Sequence, residues 1–391
     1  MYPDLSILGR RELGPFVADR RGPGPSCPLR SFPSVRIVRV LAKLEPGGAQ
    51  LAALRVTREL GRLGTTARVL AGEATATGIA LAAREGVEVE TWGGRRGLQY
   101  ATSEAFARWL EPRVVGAELV HAHMFGGWWA AARALGDAPA TALVASEHNR
   151  LVWPGRPPGE ELRSALGRVD RFFAHGPQAR AAILEAGLAP ERLAEGRSPV
   201  AGLDARPHPK LPVPRIVYSG RLHPEKGPDL LVEALARLSD PPVTLVLGDG
   251  PMASELRERV RALGLQRTVR LLGWVDDAAP YVAGAAVQAV PSREEAWSQS
   301  AVLAMGLGVP VVGADIPGLA HTLGEGRGRL VAARDPDALA EGLREILAGH
   351  HADPRPGLVY ARRFAVHDVA GYYLRAYRQL SDHRQVPALT A

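Results

Sequence analysis

Residues 220–227 read Gly-Arg-Leu-His-Pro-Glu-Lys-Gly, and the lysine in this octapeptide stands out against the rest of the chain. Only Lys43, Lys210 and Lys226 are lysines among the 48 lysine and arginine residues. An ammonium retained against that arginine background marks a position that wants a compact cation on a flexible stem, not a planar fork. An apolar strand over 216–218 precedes the loop, and an amphipathic helix over 229–238 follows it. Strand, glycine-bracketed loop, cations and helix start are the ingredients of an anion site, most often for phosphate. For this segment alone, an ordinary turn carrying two solvated cations is the competing explanation.

A second constellation runs Pro291-Ser292-Arg293-Glu294-Glu295-Ala296-Trp297-Ser298-Gln299-Ser300. An apolar run ends at Val290, a loop carries two carboxylates, and a helix is expected to start near Ser298. Such a start offers free backbone N–H groups and the positive end of a helix dipole. A carboxylate beside an anion site is suited to gripping sugar hydroxyls, because a charged acceptor makes the stronger hydrogen bond. Helix capping by Glu294, Glu295 and Ser298 explains the same residues without any ligand.

The elements that must position these groups alternate between short apolar runs and helical patterns. In the first half, strands are expected at 35–42, 67–70, 87–89, 119–123, 142–146 and 172–175, with a helix opening at Gly47-Gly48 and reaching about residue 63. In the second half they are expected at 216–218, 243–247, 269–272, 286–290, 309–312 and 330–332. This rhythm predicts two mostly parallel sheets, each covered on both faces: an α/β chain of two Rossmann-like halves. Residues 207–214 hold four prolines and read as the linker between the halves. The expected divisions are a flexible extension at 1–34, a first Rossmann-like half at 35–205, a second at 213–360 and a C-terminal helix at 361–382 that packs back on the first half. A ligand is expected in the cleft between the halves, at the C-terminal ends of the strands.

Composition narrows the class. The 391 residues are 46% hydrophobic and 23% charged, values of a globular chain too long for a single core. The single cysteine, Cys27, excludes an internal disulfide and a cysteine-based zinc cluster, which fits a reducing cytoplasm. No apolar run reaches membrane-spanning length, and the N-terminus lacks the apolar stretch of a signal peptide. The net charge of +7 is dispersed, so no nucleic-acid partner is expected; it fits anionic substrates and is compatible with peripheral membrane contact.

The motifs together resemble the family-four retaining glycosyltransferases of the GT-B fold. Those of the second half fall in family order: Ser219-Gly220-Arg221 through Glu225-Lys226-Gly227, Leu247-Gly248-Asp249-Gly250-Pro251, and Leu272-Gly273-Trp274-Val275. Pro291-Ser292-Arg293 with Glu295 and Trp297 follows, then Ala304-Met305 with Gly308-Val309-Pro310. The first half matches more sparsely, through Gly47-Gly48-Ala49, Val120-His121-Ala122-His123, Glu147-His148-Asn149 and Gly202-Leu203-Asp204.

The resemblance implies transfer of a hexose-type sugar from a nucleotide-sugar co-substrate to a small-molecule, lipid or glycan acceptor, with no other cofactor and no metal. It puts Arg221 and Lys226 on the donor diphosphate, where two cations replace a metal electrostatically. Glu295 is expected on donor-sugar hydroxyls and His123 against the donor sugar from the first half, with His148 and His121 as second choices. Backbone around Trp297, Ser298, Gln299 and Ser300 would cradle phosphate, Gly220 opens the cation loop, and Gly273, Trp274 and Val275 would face the nucleobase. Gly47 and Gly48 would approach the phosphates, where a side chain would obstruct. One departure stands out: the family's second glutamate, eight residues after the first and bonded to the ribose, is Leu303 here. A sugar-nucleotide epimerase and an inactive donor-binding partner of another transferase are the alternative functions. Trp128-Trp129 and Trp153-Pro154 are either acceptor-pocket or core aromatics.

Overall fold

The computed structural model describes residues 36–94, 97–136, 140–148 and 159–385. The extension expected at 1–34, together with Asn149 and Trp153-Pro154, lies outside the described residues. Two all-parallel sheets form the frame. The first is built from β1 (Arg36–Leu44), β2 (Thr66–Ala74), β3 (Val89–Thr91), β4 (Leu119–His123), β5 (Ala142–Glu147), β6 (Arg171–Ala174) and β7 (Leu193–Glu195), in the order β3-β2-β1-β4-β5-β6-β7. The second holds β8 (Arg215–Ser219), β9 (Val243–Leu247), β10 (Val269–Gly273), β11 (Val287–Val290), β12 (Val311–Ala314) and β13 (Arg329–Val331), in the order β10-β9-β8-β11-β12-β13. Near-continuous apolar runs such as Val38 to Ala42 are buried because helices cover both faces. In each sheet the order reverses beside the first strand, between β1 and β4 and between β8 and β11, which opens a crevice at the carboxyl ends.

Several boundaries moved for identifiable reasons. The third strand starts at Val89, not Val87, because Val87 closes the preceding helix Ala76–Arg84: Gly86 takes φ 68°, its N–H reaches Ala83 O, and Val87 N–H reaches Ala82 O at 2.9 Å. That Schellman pattern uses Val87 as its apolar plug. The run at 309–312 becomes strand only from Val311; Pro310 has no N–H to offer a ladder. The helix expected to Leu238 ends at Leu235. β7 has three residues and no apolar run, so its sequence carried no strand signal.

The chain passes between the sheets twice. One crossing follows β7 through the proline-rich 207–214; the other precedes the final helix, Val366–Gln385. The two crossings are joined where Val200 N–H donates to Phe364 O at 2.7 Å. The final helix then packs against the helix Gly48–Arg62: His367 lies 3.1 Å from Glu59, and Tyr377 hydroxyl meets His121 Nδ1. The linker is pinned by Arg215, fully buried, which donates to the carbonyls of Pro212, Tyr281 and Ala283. No helix among the described residues is long and apolar enough to cross a membrane.

Candidate active site

A cavity of about 610 Å³ lies where the carboxyl ends of the two sheets face each other. The first sheet contributes the β1 loop from Glu45 to Gly48, Met124 after β4, His148 after β5 and His175 after β6. The second contributes Gly220 and Arg221 after β8, Trp274 and Val275 after β10, and residues 294–300 after β11. Sequence motifs separated by up to about 250 residues therefore meet because parallel topology brings every strand's carboxyl end to the same side.

The cation loop is held by backbone geometry. Pro224–Lys226 form one tight turn, and Gly227 follows at φ 61° with its α-carbon pressed on the β11 loop: a Cβ there would lie 2.2 Å from Pro291 O. Only glycine meets both conditions. Arg293 locks the other side, donating to Asp229 at 2.8 and 2.6 Å and to Pro224 O at 2.9 Å, while its own N–H reaches Glu225 O. Burial works to raise the Asp229 carboxyl, but the Arg293 guanidinium outweighs it and holds the group below the usual carboxylate range. Arg293 is thus a brace, not a ligand for the cleft.

Within this brace, Lys226 Nζ lies 2.7 Å from both oxygens of Glu295, whose side chain is 11% exposed. Ser292 Oγ donates to Glu295 Oε2 at 3.3 Å. Arg221 is 52% exposed, with Glu225 at 3.3 Å as its acidic neighbour. Glu294 is exposed. The helix Gln299–Gly306 is capped by Ser298, whose Oγ accepts from Ala301 N–H, so capping falls to Ser298 and not to the glutamates. Gln299 Nε2 reaches across the cleft to Gly48 O at 2.9 Å, which brings the helix start up to the glycine pair. Ser300 and Leu303 also border the cavity. Trp297 borders it too, but its Nε1 donates to Tyr360 hydroxyl and its ring packs on Phe364. Trp274 is 45% exposed with Nε1 on Asp276; Val275 lines the cavity, whereas Gly273 supplies a left-handed turn at φ 73° behind it.

The histidines rearrange the expected site. His123, expected against the donor sugar, is 3% exposed and does not line the cavity. It is the last residue of β4, paired in register with Ser146, and its ring is enclosed by His121, His148 and Arg39. His121 is buried deeper, between Ser146 Oγ at 2.7 Å and Tyr377. His148 and His175 do line the cavity, their rings stacked at 3.9 Å. His148 Nε2 lies 3.0 Å from His123 Nδ1, and His123 Nε2 lies 2.7 Å from Arg39 Nη2. Burial, aided by the Arg39 charge, pushes the His148 imidazole down to about 3, and burial holds His121, His123 and His175 well below the ordinary value. All four are neutral near pH 7. His175 was missed as a site residue, although its place at the end of an apolar run was the available signal. Trp128 and Trp129 belong to the core of the first sheet. No cluster of metal-ligating side chains occurs among the described residues.

Residues 46–194 match the family described as Glycosyltransferase Family 4, and residues 213–349 match Glycosyl transferases group 1. The chain belongs to the family-four glycosyltransferases of the GT-B fold. Among relatives of this chain, D-inositol 3-phosphate glycosyltransferase 2 of Catenulispora acidiphila is 31% identical over 62% of the chain. The D-inositol 3-phosphate glycosyltransferase of Mycolicibacterium gilvum is 30% identical over 71% of it. The chain spans 60% and 64% of the length of these two relatives. In fold, the chain is similar to Anabaena Alr3699/HepE, solved in complex with UDP, at a TM-score of 0.73 and 20% identity, covering 88% of this chain and 100% of that one. It is also similar to sucrose-phosphate synthase from Thermosynechococcus elongatus, at 0.69 and 20%, covering 89% and 100%.

Proposed function

We propose that this glycosyltransferase moves a hexose-type sugar from a nucleotide-sugar donor to a hydroxyl acceptor, with retention of configuration and without a metal ion. The observation that carries the reading is the convergence of Lys226, Arg221 and Glu295 at the carboxyl ends of β8 and β11, facing the β1 glycines across the cleft. Arg221 and the Lys226 N–H not directed at Glu295 stabilise the leaving diphosphate, charge that develops as the glycosidic bond breaks. Glu295 accepts from donor-sugar hydroxyls, and the Gln299–Gly306 helix start meets phosphate with its free N–H groups. Val275 and Trp274 face the nucleobase, and His148 faces the sugar from the opposite wall.

UDP is the first nucleotide to test, since the Anabaena structure in the same fold holds it. The names of the inositol-phosphate relatives make a cyclic polyol phosphate the first acceptor to test. A thermal-shift screen against UDP-, GDP-, ADP- and dTDP-sugars identifies the donor, because a ligand that binds only the native state raises the melting temperature. Donor turnover with the inositol phosphate then follows, with NMR of the product's anomeric proton. An inverted product overturns retention. A donor that binds without releasing free nucleotide, whatever the acceptor, supports the inactive-partner reading instead.

A further inference from the structure

Arg39 in β1 is an unusual buried cation. It is 1% exposed, no carboxylate pairs with it among the described residues, and its Nε and Nη1 have no hydrogen-bond partner there. The other fully buried arginine, Arg215, is surrounded by three backbone carbonyls and serves the linker. Arg39 has a single recorded acceptor, His123 Nε2 at 2.7 Å. A guanidinium can only donate, so this contact fixes His123 Nε2 as an acceptor and puts the imidazole proton on Nδ1. That Nδ1 lies 3.0 Å from His148 Nε2, which must in turn accept. Neutral His148 then carries its proton on Nδ1, a buried nitrogen without a partner among the described residues, on a residue that borders the cavity.

We propose that Arg39 is a positioning residue that orders the protons of His123 and His148, so that His148 holds its proton on Nδ1, beneath the cavity wall, as the donor that an acceptor oxygen of bound substrate, a sugar hydroxyl or a phosphate oxygen, would meet. The direction of both bonds follows from the guanidinium at the head of the network, which cannot accept. The assignment of the ligand group rests on the donor-binding function proposed above; the proton order does not. An arginine at this place costs desolvation with no ion pair to offset it, and a lysine would keep the donation with a different reach.

The proton order is read directly on the full-length, ligand-free protein labelled with ¹⁵N-histidine, using long-range ¹H–¹⁵N correlations assigned through His123→Asn and His148→Asn. Wild type is expected to show protonated Nδ1 and bare Nε2 at both residues. Arg39→Met is expected to leave a mixture of tautomers at His148, and Arg39→Lys to restore the wild-type pattern. A protonated Nε2 on wild-type His148, or a pattern unchanged in Arg39→Met, overturns the proposal. If Arg39→Met does not fold, Arg39→Lys and the wild-type spectrum still decide it. On the substrate side, Asn at 148 places an amide donor where Nδ1 stands, whereas Gln extends it toward Nε2. His148→Asn is therefore expected to keep about tenfold more turnover than His148→Gln, the effect of one hydrogen bond. Equal losses in those two variants, with the tautomers as expected, leave the relay standing and remove the ligand contact.

Discussion

Lys226 Nζ stands 2.7 Å from each oxygen of Glu295, so the cation expected on phosphate and the carboxylate expected on sugar hydroxyls hold one another in the cleft. Their sequence separation of 69 residues hides this. An ammonium has three N–H groups, and the pair engages it from one side only. A donor arriving at the cleft meets two charged groups already aligned and desolvated by their own contact, the kind of preorganisation that favours charge development over ground-state binding.

Coupling between the two follows. Lys226→Ala and Glu295→Ala are each expected to lower kcat/KM by about a hundredfold, and the double variant to lose much less than the product of the single losses, because each single change strands a charge that the other had held. Exposed Glu294→Ala is expected to cost little. Turnover measured across this set checks it; multiplicative losses, or a larger loss at Glu294, contradict the assigned roles.

Arg221 differs from Lys226 in its surroundings. Its side chain is half exposed and its ion pair with Glu225 is a surface one, worth little to the fold. Arg221→Ala is expected to reduce turnover about a hundredfold, on the scale of a lost preorganised charge, while leaving the melting temperature where it was. Near-normal turnover would take the diphosphate away from this residue.

The buried histidines make stability depend on pH. His148 titrates near 3 in the folded chain, and burial holds His121, His123 and His175 well below their ordinary range. Unfolded histidines take up protons near pH 6.5. Below that point the unfolded state binds more protons, so the stability present at neutral pH is lost as pH falls. Each histidine contributes a slope of up to about 1.4 kcal/mol per pH unit. Urea unfolding at pH 7 and 5.5, above the range of Asp229 and Glu59, is expected to show the decline, and His148→Asn to flatten it by about one proton. A midpoint constant over this interval would mean that the histidines are solvated.

The proposed metal independence rests on the two cations assigned to the donor diphosphate. Turnover is expected to persist in excess EDTA; loss restored by magnesium or manganese would show that the leaving group needs more charge than Arg221 and Lys226 supply.

Leu303 lines the cavity from the helix Gln299–Gly306 and cannot accept a hydrogen bond. A ribose met by water keeps roughly the partners it had in solution. The 2′,3′-dideoxy nucleotide is therefore expected to bind within about tenfold of the normal one, less than about 1.4 kcal/mol, and Leu303→Glu to widen the gap. Calorimetry showing a wild-type penalty above about a hundredfold would assign the ribose to another residue.

The sheet strands were legible because parallel strands buried on both faces are written as apolar runs, and the cation and carboxylate loops because glycine and proline mark their edges. What escaped was decided across the fold. His121 and His123 lie two residues apart in β4 and share a face; Tyr377 from helix Val366–Gln385 covers His121, while His148 and Arg39 enclose His123, so neither imidazole lines the cleft. His148 and His175, just past their strands, do. Arg39 reads as one arginine among many, and only the register Arg39 to His121 and Leu41 to His123 sets it behind the cleft wall.

The double passage of the chain between the two sheets bears on how this molecule can be recombined. A single cut in the proline-rich 207–214 would separate the second sheet from the first but carry away Tyr377 and His367, which belong against the first sheet's helices and strands. A chimera that exchanges donor specificity must therefore be an insertion with two junctions, one within 207–214 and the other near Phe364, where Val200 ties the crossings together. The second sheet and its helices are in effect a guest domain inside a host that includes both ends of the described fold.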